Sequence, residues 1–316
     1  MTIPHLSAAD LDALALTPRA MRDALADTLR AQATGHVHTA PKSMLKPADG
    51  RLLMTTLSAD DTTGIMAVKA LVQNPANRGP GATYIDGTVT ALDAFTGQPL
   101  ATLDGPWITA QRTAALSMLS AQHLANPQAQ TAAFLGAGVQ ASSHLAALTA
   151  LYPLKSIRIF SRSAPTRLTE QARSLNLAVT IADTARSALS GADIVISAVS
   201  RDAPATPVDP AWLTPGAFAA LVDLGHGWPR AGLATLDALY IDDLAQERVM
   251  PTDTRLADLD AVAGDLTALV TGTAPARTDA TQRIAFLSRG PAASDLSLVA
   301  LALRQAGLAP VATDKV

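Results

Sequence analysis

Residues 131–141 read TAAFLGAGVQA. The apolar run Thr131–Leu135 meets Gly136-Ala137-Gly138-Val139-Gln140-Ala141 and passes into the helix-forming stretch 142–151. Two glycines alone are a weak signal, but a glycine turn that closes a strand and opens a helix has a specific physical use. Gly136 permits the tight turn. Gly138 leaves the backbone bare where a pyrophosphate can approach, and Ala141 keeps helix and strand close. The N–H groups of the first helical turn and its positive dipole end then point at the phosphates. The pattern predicts a dinucleotide-binding strand–turn–helix.

The next strand, SIRIF at 156–160, runs into Ser161-Arg162-Ser163, with Arg167 close behind. A site for NAD carries an acid near this point to bind the ribose hydroxyl, and none stands here. A guanidinium beside two hydroxyls suits a 2′-phosphate instead. NADPH is therefore the expected cofactor, with NADH possible; Arg162 also reads as an ordinary solvated loop residue. Thr113 and the strand end Ser197-Ala198-Val199 complete the expected cofactor-binding set.

Around this motif the chain alternates. Helices are expected at 138–151, 165–175 and 184–190, with strands LAVTI, DIVISAVS, AFAALVDLG and ALYIDD between and after them. Strand–helix alternation predicts a parallel sheet covered on both faces. Upstream, residues 7–32 read as one helix capped by Ser7. Residues 51–103 read as short strands, with a hairpin at Thr96-Gly97, and a helix follows from about Thr109 to Leu124. A last helix, Ser294 to Ala306, could return to the first domain. The expected fold is α/β: a Rossmann parallel-sheet domain over 117–286, inserted into an α+β substrate and dimerisation domain of 1–116 plus 287–316.

Composition excludes several functions. The chain has 316 residues, 48% hydrophobic and 16% charged, so most of it can bury a core. With 24 Lys and Arg against 27 Asp and Glu, the net charge is −3 and no basic surplus exists for a nucleic-acid backbone. Cysteine is absent, which removes disulfides, thiolate metal sites and cysteine nucleophiles together. Mean hydropathy is +0.21, and residues 113–154 hold no Asp, Glu, Lys or Arg. Gln, Asn, Pro and His interrupt that stretch, so a buried helix and strand are expected rather than a membrane span. The N-terminal MTIPHLSAADLDAL has acids where a signal peptide has bases, and a cytoplasmic location is expected. His36 and His38 lie two apart without an evident third ligand, so no metal is expected.

Four blocks carry a resemblance. They are Leu103–Ala115 (LDGPWITAQRTAA), the GAGVQA turn, KALVQNPANRGPG from Lys69, and FLSRGPAASDL from Phe286. Taken in chain order, with the Lys69 block first, they resemble the ornithine cyclodeaminase/mu-crystallin family, over about residues 50 to 310. The resemblance implies a Rossmann domain set into a dimerisation domain, a homodimer, and a small cyclic imino acid as substrate. It implies that Lys69 and Arg112 bind a substrate carboxylate, with Lys42 a looser match to a third cation. The residues themselves agree: a guanidinium grips a carboxylate with two hydrogen bonds, and a lysine inside IMAVKALV is rarely buried without a partner. A structural ion pair for Arg112 and an edge-strand charge for Lys69 remain open readings.

One departure separates activities within the family. Cyclodeaminases carry an aspartate before Pro-Gly; here Val222–Arg230 reads VDLGHGWPR and sets Gly227 at that position. Glycine cannot manage the proton transfers of ring closure and ammonia release. Reduction of a ketimine needs less, because the imine carries its own basic nitrogen. The expected activity is NADPH-dependent reduction of Δ1-pyrroline-2-carboxylate or Δ1-piperideine-2-carboxylate, as in the bacterial reductases that the LDGP–RTAA block most resembles. His226 could relay a proton, or serve only as a turn residue. An open-chain amino-acid dehydrogenase, a cyclodeaminase and a non-catalytic NADPH binder are the alternatives.

Overall fold

The computed structural model describes residues 2–77, 83–200 and 204–310. The chain divides into two compact units, Met1–Arg112 with Pro291–Val316, and Thr113–Gly290. The Arg78–Gly81 part of the KALVQNPANRGPG block lies outside the described residues.

In the first unit, β1 (His5–Leu6) precedes α1 (Ala8–Ala13) and α2 (Pro18–Ala33). The expected single helix over 7–32 is thus two. Ala15 sits at φ +51°, outside helical space. Pro18 has no amide to continue the ladder, and the Thr17 hydroxyl caps the second helix. Then come β2 (Val37–Thr39), β3 (Ser43–Leu45), β4 (Leu52–Asp60), β5 (Ile65–Gln73), β6 (Ile85–Asp93) and β7 (Pro99–Asp104). With β1 they make a seven-stranded sheet in the order β1-β7-β6-β5-β4-β2, where β3 also pairs with β4. Alternation along the long strands sorts the side chains. Thr56, Ser58, Ala67, Lys69, Leu71, Val89 and Ala91 are buried on one face; Leu57, Met66 and Val72 are exposed on the other.

Helix α3 (Gly105–Leu124) starts earlier than the expected Thr109. Asp104, the last residue of β7, accepts the Trp107 N–H at 2.6 Å and so caps the helix. Arg112 therefore lies two turns in, beyond the first turn where the helix dipole would oppose a cation.

The second unit runs β8 (Thr131–Leu135), α4 (Val139–Leu151), β9 (Ser156–Phe160), α5 (Thr166–Ser174), β10 (Ala178–Ile181), α6 (Ala185–Leu189), β11 (Ile194–Ser197) and β12 (Phe218–Leu221). It continues with α7 (Arg230–Leu233), β13 (Ala238–Ile241), α8 (Leu244–Val249), β14 (Gly264–Asp265), α9 (Leu266–Thr271) and β15 (Ile284–Leu287). The sheet is parallel, in the order β10-β9-β8-β11-β12-β15-β13-β14. β15 inserts between β12 and β13, a position that local sequence does not announce. Strand order reverses at β8, whose neighbours are β9 and β11, and ligands of open parallel sheets bind beyond the strand ends at such a point.

After β15 the chain returns to the first unit as α10 (Ala292–Gln305). Leu296, Leu298, Val299 and Leu303 are fully buried, and the helix packs on α2, β4 and β5. Its first turn is thereby held over the middle of the sheet. Among the described residues no helix is long and apolar enough to cross a membrane, and no group of His, Asp or Glu is set to hold a metal.

Candidate active site

Lys69 sits in the middle of β5, in register with Thr56 of β4 and Val89 of β6. β5 is an interior strand, so Lys69 is not a solubilising charge on an edge. Its side chain is only 5% exposed. Asp295, from the first turn of α10, meets it there: Oδ1 accepts from Lys69 Nζ at 2.5 Å and Oδ2 accepts from the Thr56 hydroxyl at 2.8 Å. Arg112 Nε approaches the same Oδ1 at 3.4 Å. The open reading of Arg112 as an ion-pair residue thus describes its contact, and Lys69 shares it.

The charges do not cancel. Among the described residues Asp295 is the only carboxylate within ion-pair distance of Lys69 or Arg112. Two buried cations therefore face one anion. Burial pulls the Lys69 ammonium down to about 8, against the Asp295 charge and with the help of Arg112. Burial opposes ionisation of Asp295 too, but the charges of Lys69 and Arg112 and the hydrogen bonds from Lys69 and Thr56 outweigh it and hold the carboxyl below its usual range. One positive charge is left over among side chains buried from the surface, which is the electrostatic complement of one bound anion.

In the second unit the glycine turn has the geometry its sequence implies. Gly136 sits at φ +94°, and a Cβ there would meet the Ala198 carbonyl oxygen at 2.5 Å. Its N–H donates to the Phe160 carbonyl, and the Ala198 N–H to that of Leu135. The turn is thereby locked between the ends of β9 and β11. Gly138 caps α4 at φ −83°, with no side chain on the free amides of the first turn. A Cβ on it would meet nothing within 4 Å. Bare, exposed backbone at a helix N-terminus fits a pyrophosphate. Ser161, Arg162, Ser163 and Arg167 follow β9, with Arg162, Ser163 and Arg167 exposed.

Beyond β11 a buried acid organises the loop. The Ser197 hydroxyl donates to Asp223 Oδ2 at 2.7 Å and accepts from Trp228 Nε1 at 3.0 Å. The Val199 N–H donates to the same Oδ2 at 3.1 Å. Burial pushes the Asp223 carboxyl up, although Ser197, Val199 and the charge of His226 pull it down.

The sequence matches the ornithine cyclodeaminase/mu-crystallin family over residues 6–306. The chain belongs to that family. A nodulation efficiency protein of Rhizobium meliloti is 26% identical over 275 residues, 86% of this chain and 85% of that one. The Δ1-pyrroline-2-carboxylate/Δ1-piperideine-2-carboxylate reductase of Azospirillum brasilense is 35% identical over 165 residues, about half the length of each chain (51% and 51%). Among solved structures, the Δ1-pyrroline-2-carboxylate reductase of Thermococcus litoralis, in complex with NADH and L-proline, superposes with a TM-score of 0.85. It is 21% identical and the match covers 98% of this chain and 100% of that one, a likeness of fold.

Lys42 is half-buried in the segment before β3, and Thr113 is buried in α3 directly after Arg112. His226 lies in the turn after β12, where its N–H donates to the Asp223 carbonyl. Gly227 sits at φ +90°, and a Cβ there would meet the Thr206 carbonyl oxygen at 2.4 Å, so an aspartate has no room at that position. Asp295 and Thr56 escaped the sequence reading as site residues. The C-terminal FLSRGPAASDL block contained Asp295, and strand alternation put Thr56 on the Lys69 face.

Proposed function

We propose that this chain reduces cyclic ketimines carrying a carboxylate, Δ1-pyrroline-2-carboxylate and/or Δ1-piperideine-2-carboxylate, to L-proline and L-pipecolate with NADPH. The observation that carries this reading is the buried pair of cations, Lys69 and Arg112, sharing one carboxylate. A substrate carboxylate supplies the missing charge. Arg112 grips it through its planar guanidinium and Lys69 anchors it as a point charge, so the adjoining C=N carbon is held in one orientation. The nicotinamide cofactor, when bound, supplies the hydride that this carbon accepts. Gly136, Ala137, Gly138, Val139 and Gln140 would hold its pyrophosphate. Ser161, Arg162, Ser163 and Arg167 would take a 2′-phosphate, and Thr113, Ser197, Ala198 and Val199 would complete its contacts. The imine nitrogen is itself basic and enters protonated, so His226 is needed at most as a relay. Lys42 would extend the anionic-substrate site.

The named imine reductases among the relatives support this activity. The steric exclusion of an aspartate at Gly227 counts against ornithine cyclodeamination. A homodimer is part of the proposal. The exposed Leu57, Met66 and Val72 on the outer face of the sheet form an apolar surface suited to a second copy of the chain.

The test follows NADPH oxidation with each of the two cyclic imines, beside pyruvate plus ammonia, and beside L-ornithine with NAD. Fast turnover of an imine, lost in Arg112→Ala, is the expected result. NADPH binding without imine turnover would defeat the reading, in favour of an open-chain dehydrogenase if pyruvate plus ammonia reacts. Ammonia release from ornithine would show that the Gly227 argument fails.

A further inference from the structure

Asp295 is 1% exposed and makes three polar contacts, all to the candidate substrate site: Thr56, Lys69 and Arg112. Its two oxygens are divided by function. Oδ2 is anchored by the Thr56 hydroxyl, whose own position is fixed by the β4–β5 register that pairs Thr56 with Lys69. Oδ1 is thereby turned toward both cations. The carboxylate comes from a helix fixed by its buried apolar side chains and not from the strand or helix that carries either cation.

We propose that Asp295 is a positioning residue of the carboxylate-binding pair: its Oδ1, held by the Thr56 anchor on Oδ2, fixes the Lys69 ammonium and the Arg112 guanidinium for a substrate carboxylate. This rests on the proposed imine-reductase reading for its substrate, but the charge coupling is observable without turnover. The charged groups acting on the Lys69 ammonium are Asp295 from α10 and Arg112 from α3. The strands beside it place only Thr56 and Val89 opposite, and the buried face of α2 carries Met21, Leu25, Ala26, Thr28 and Leu29. Removing the Asp295 charge leaves burial and Arg112 both opposing the ammonium. Lys69 then loses its proton at lower pH, and with it half of the carboxylate grip.

Two measurements test this. The first is the titration of the Lys69 Cε resonance by NMR in the wild type and Asp295→Asn, with Lys69→Arg used to assign the signal. The expected result is a midpoint at least one pH unit lower in Asp295→Asn. An unmoved midpoint overturns the proposal whatever the substrate is. The second is the pH profile of kcat/KM for Δ1-pyrroline-2-carboxylate with NADPH. In Asp295→Asn the alkaline limb should move to lower pH by the same interval, and KM at pH 8 should rise at least tenfold with kcat changed less than threefold. NADPH affinity should stay unchanged. A fall in kcat alone, or equal losses for NADPH and imine, would mark a merely structural role. If Asp295→Asn does not fold, Asp295→Glu decides the matter. It keeps the charge but lengthens the arm, so the Lys69 midpoint should hold while KM rises at least threefold; an unchanged KM would overturn the positioning role. Absence of imine turnover in the wild type, with the NMR shift present, would refute the substrate reading and leave the charge coupling standing.

Discussion

Gly136 and Gly138 belong to one motif but are glycines for different reasons, and alanine substitution separates them. At Gly136 the backbone has φ +94° and an added Cβ would lie 2.5 Å from the Ala198 carbonyl oxygen. An L-residue held in that region costs on the order of 1–3 kcal/mol. Opening the contact means shifting the β11 end, an overpacking cost of similar size, about 1–3 kcal/mol. Gly136→Ala should therefore destabilise the second unit by roughly 2–6 kcal/mol. For a unit of its size that is a fall in Tm of roughly 4–24 °C.

Gly138→Ala should do the opposite. Its φ of −83° suits any residue, and its Cβ would meet nothing within 4 Å. Folding stability should stay within about 0.5 kcal/mol of wild type. The methyl would instead occupy the space over the first turn of α4 that a pyrophosphate needs. NADPH affinity should fall at least tenfold, a loss of about 1.4 kcal/mol or more. Calorimetric unfolding of the ligand-free protein and calorimetric titration with NADPH read the two effects separately. Wild-type NADPH affinity in Gly138→Ala would refute the placement of the pyrophosphate. Wild-type stability in Gly136→Ala would refute the turn geometry on which that placement rests.

Arg162→Ala should raise KM for NADPH at least tenfold while leaving that for NADH within threefold; parallel changes for both cofactors would remove Arg162 from 2′-phosphate recognition. Met66→Glu, on the exposed apolar face of the sheet, should yield monomers in sedimentation or light scattering, and a wild type that is already monomeric would refute the dimer. His144 is buried, with Nε2 2.9 Å from the Ser117 hydroxyl and Nδ1 2.7 Å from the Gln140 carbonyl oxygen, and burial pulls its pKa from 6.5 to about 4, against the raising effect of the Gln140 bond. The unfolded chain then takes up this proton first, so stability is full above pH 6.5 and falls as the pH drops toward 4, by about 1.4 kcal/mol per unit. The urea midpoint should drop between pH 7 and pH 5 in the wild type, and drop less in His144→Gln; equal drops in both would exclude His144 as the source.

What could be read from sequence here follows the range of the interaction. The β8–turn–α4 unit is local: strand, glycine turn and helix start fall within eleven residues, each with its own signal. The start of α3 is also local but was misplaced, because its cap, Asp104, is at the same time the last residue of a strand, and residue 104 signalled the end of one element rather than the start of the next. β15 was missed because four apolar residues, Ile284–Leu287, do not tell where in a sheet they insert; only the contacts with β12 and β13 do. The site shows the same division. Strand periodicity placed Lys69 on a buried face, and physics then required a partner, since an unpaired ammonium in the interior would give up its proton. It did not name the partner. Asp295 lies 226 residues away, and only the return of α10 over β4 and β5 brings it to Lys69. Both cations were legible because each stood out against its own neighbours, whereas the acid that couples them sits among serines and alanines at a helix start, where a carboxylate is ordinary.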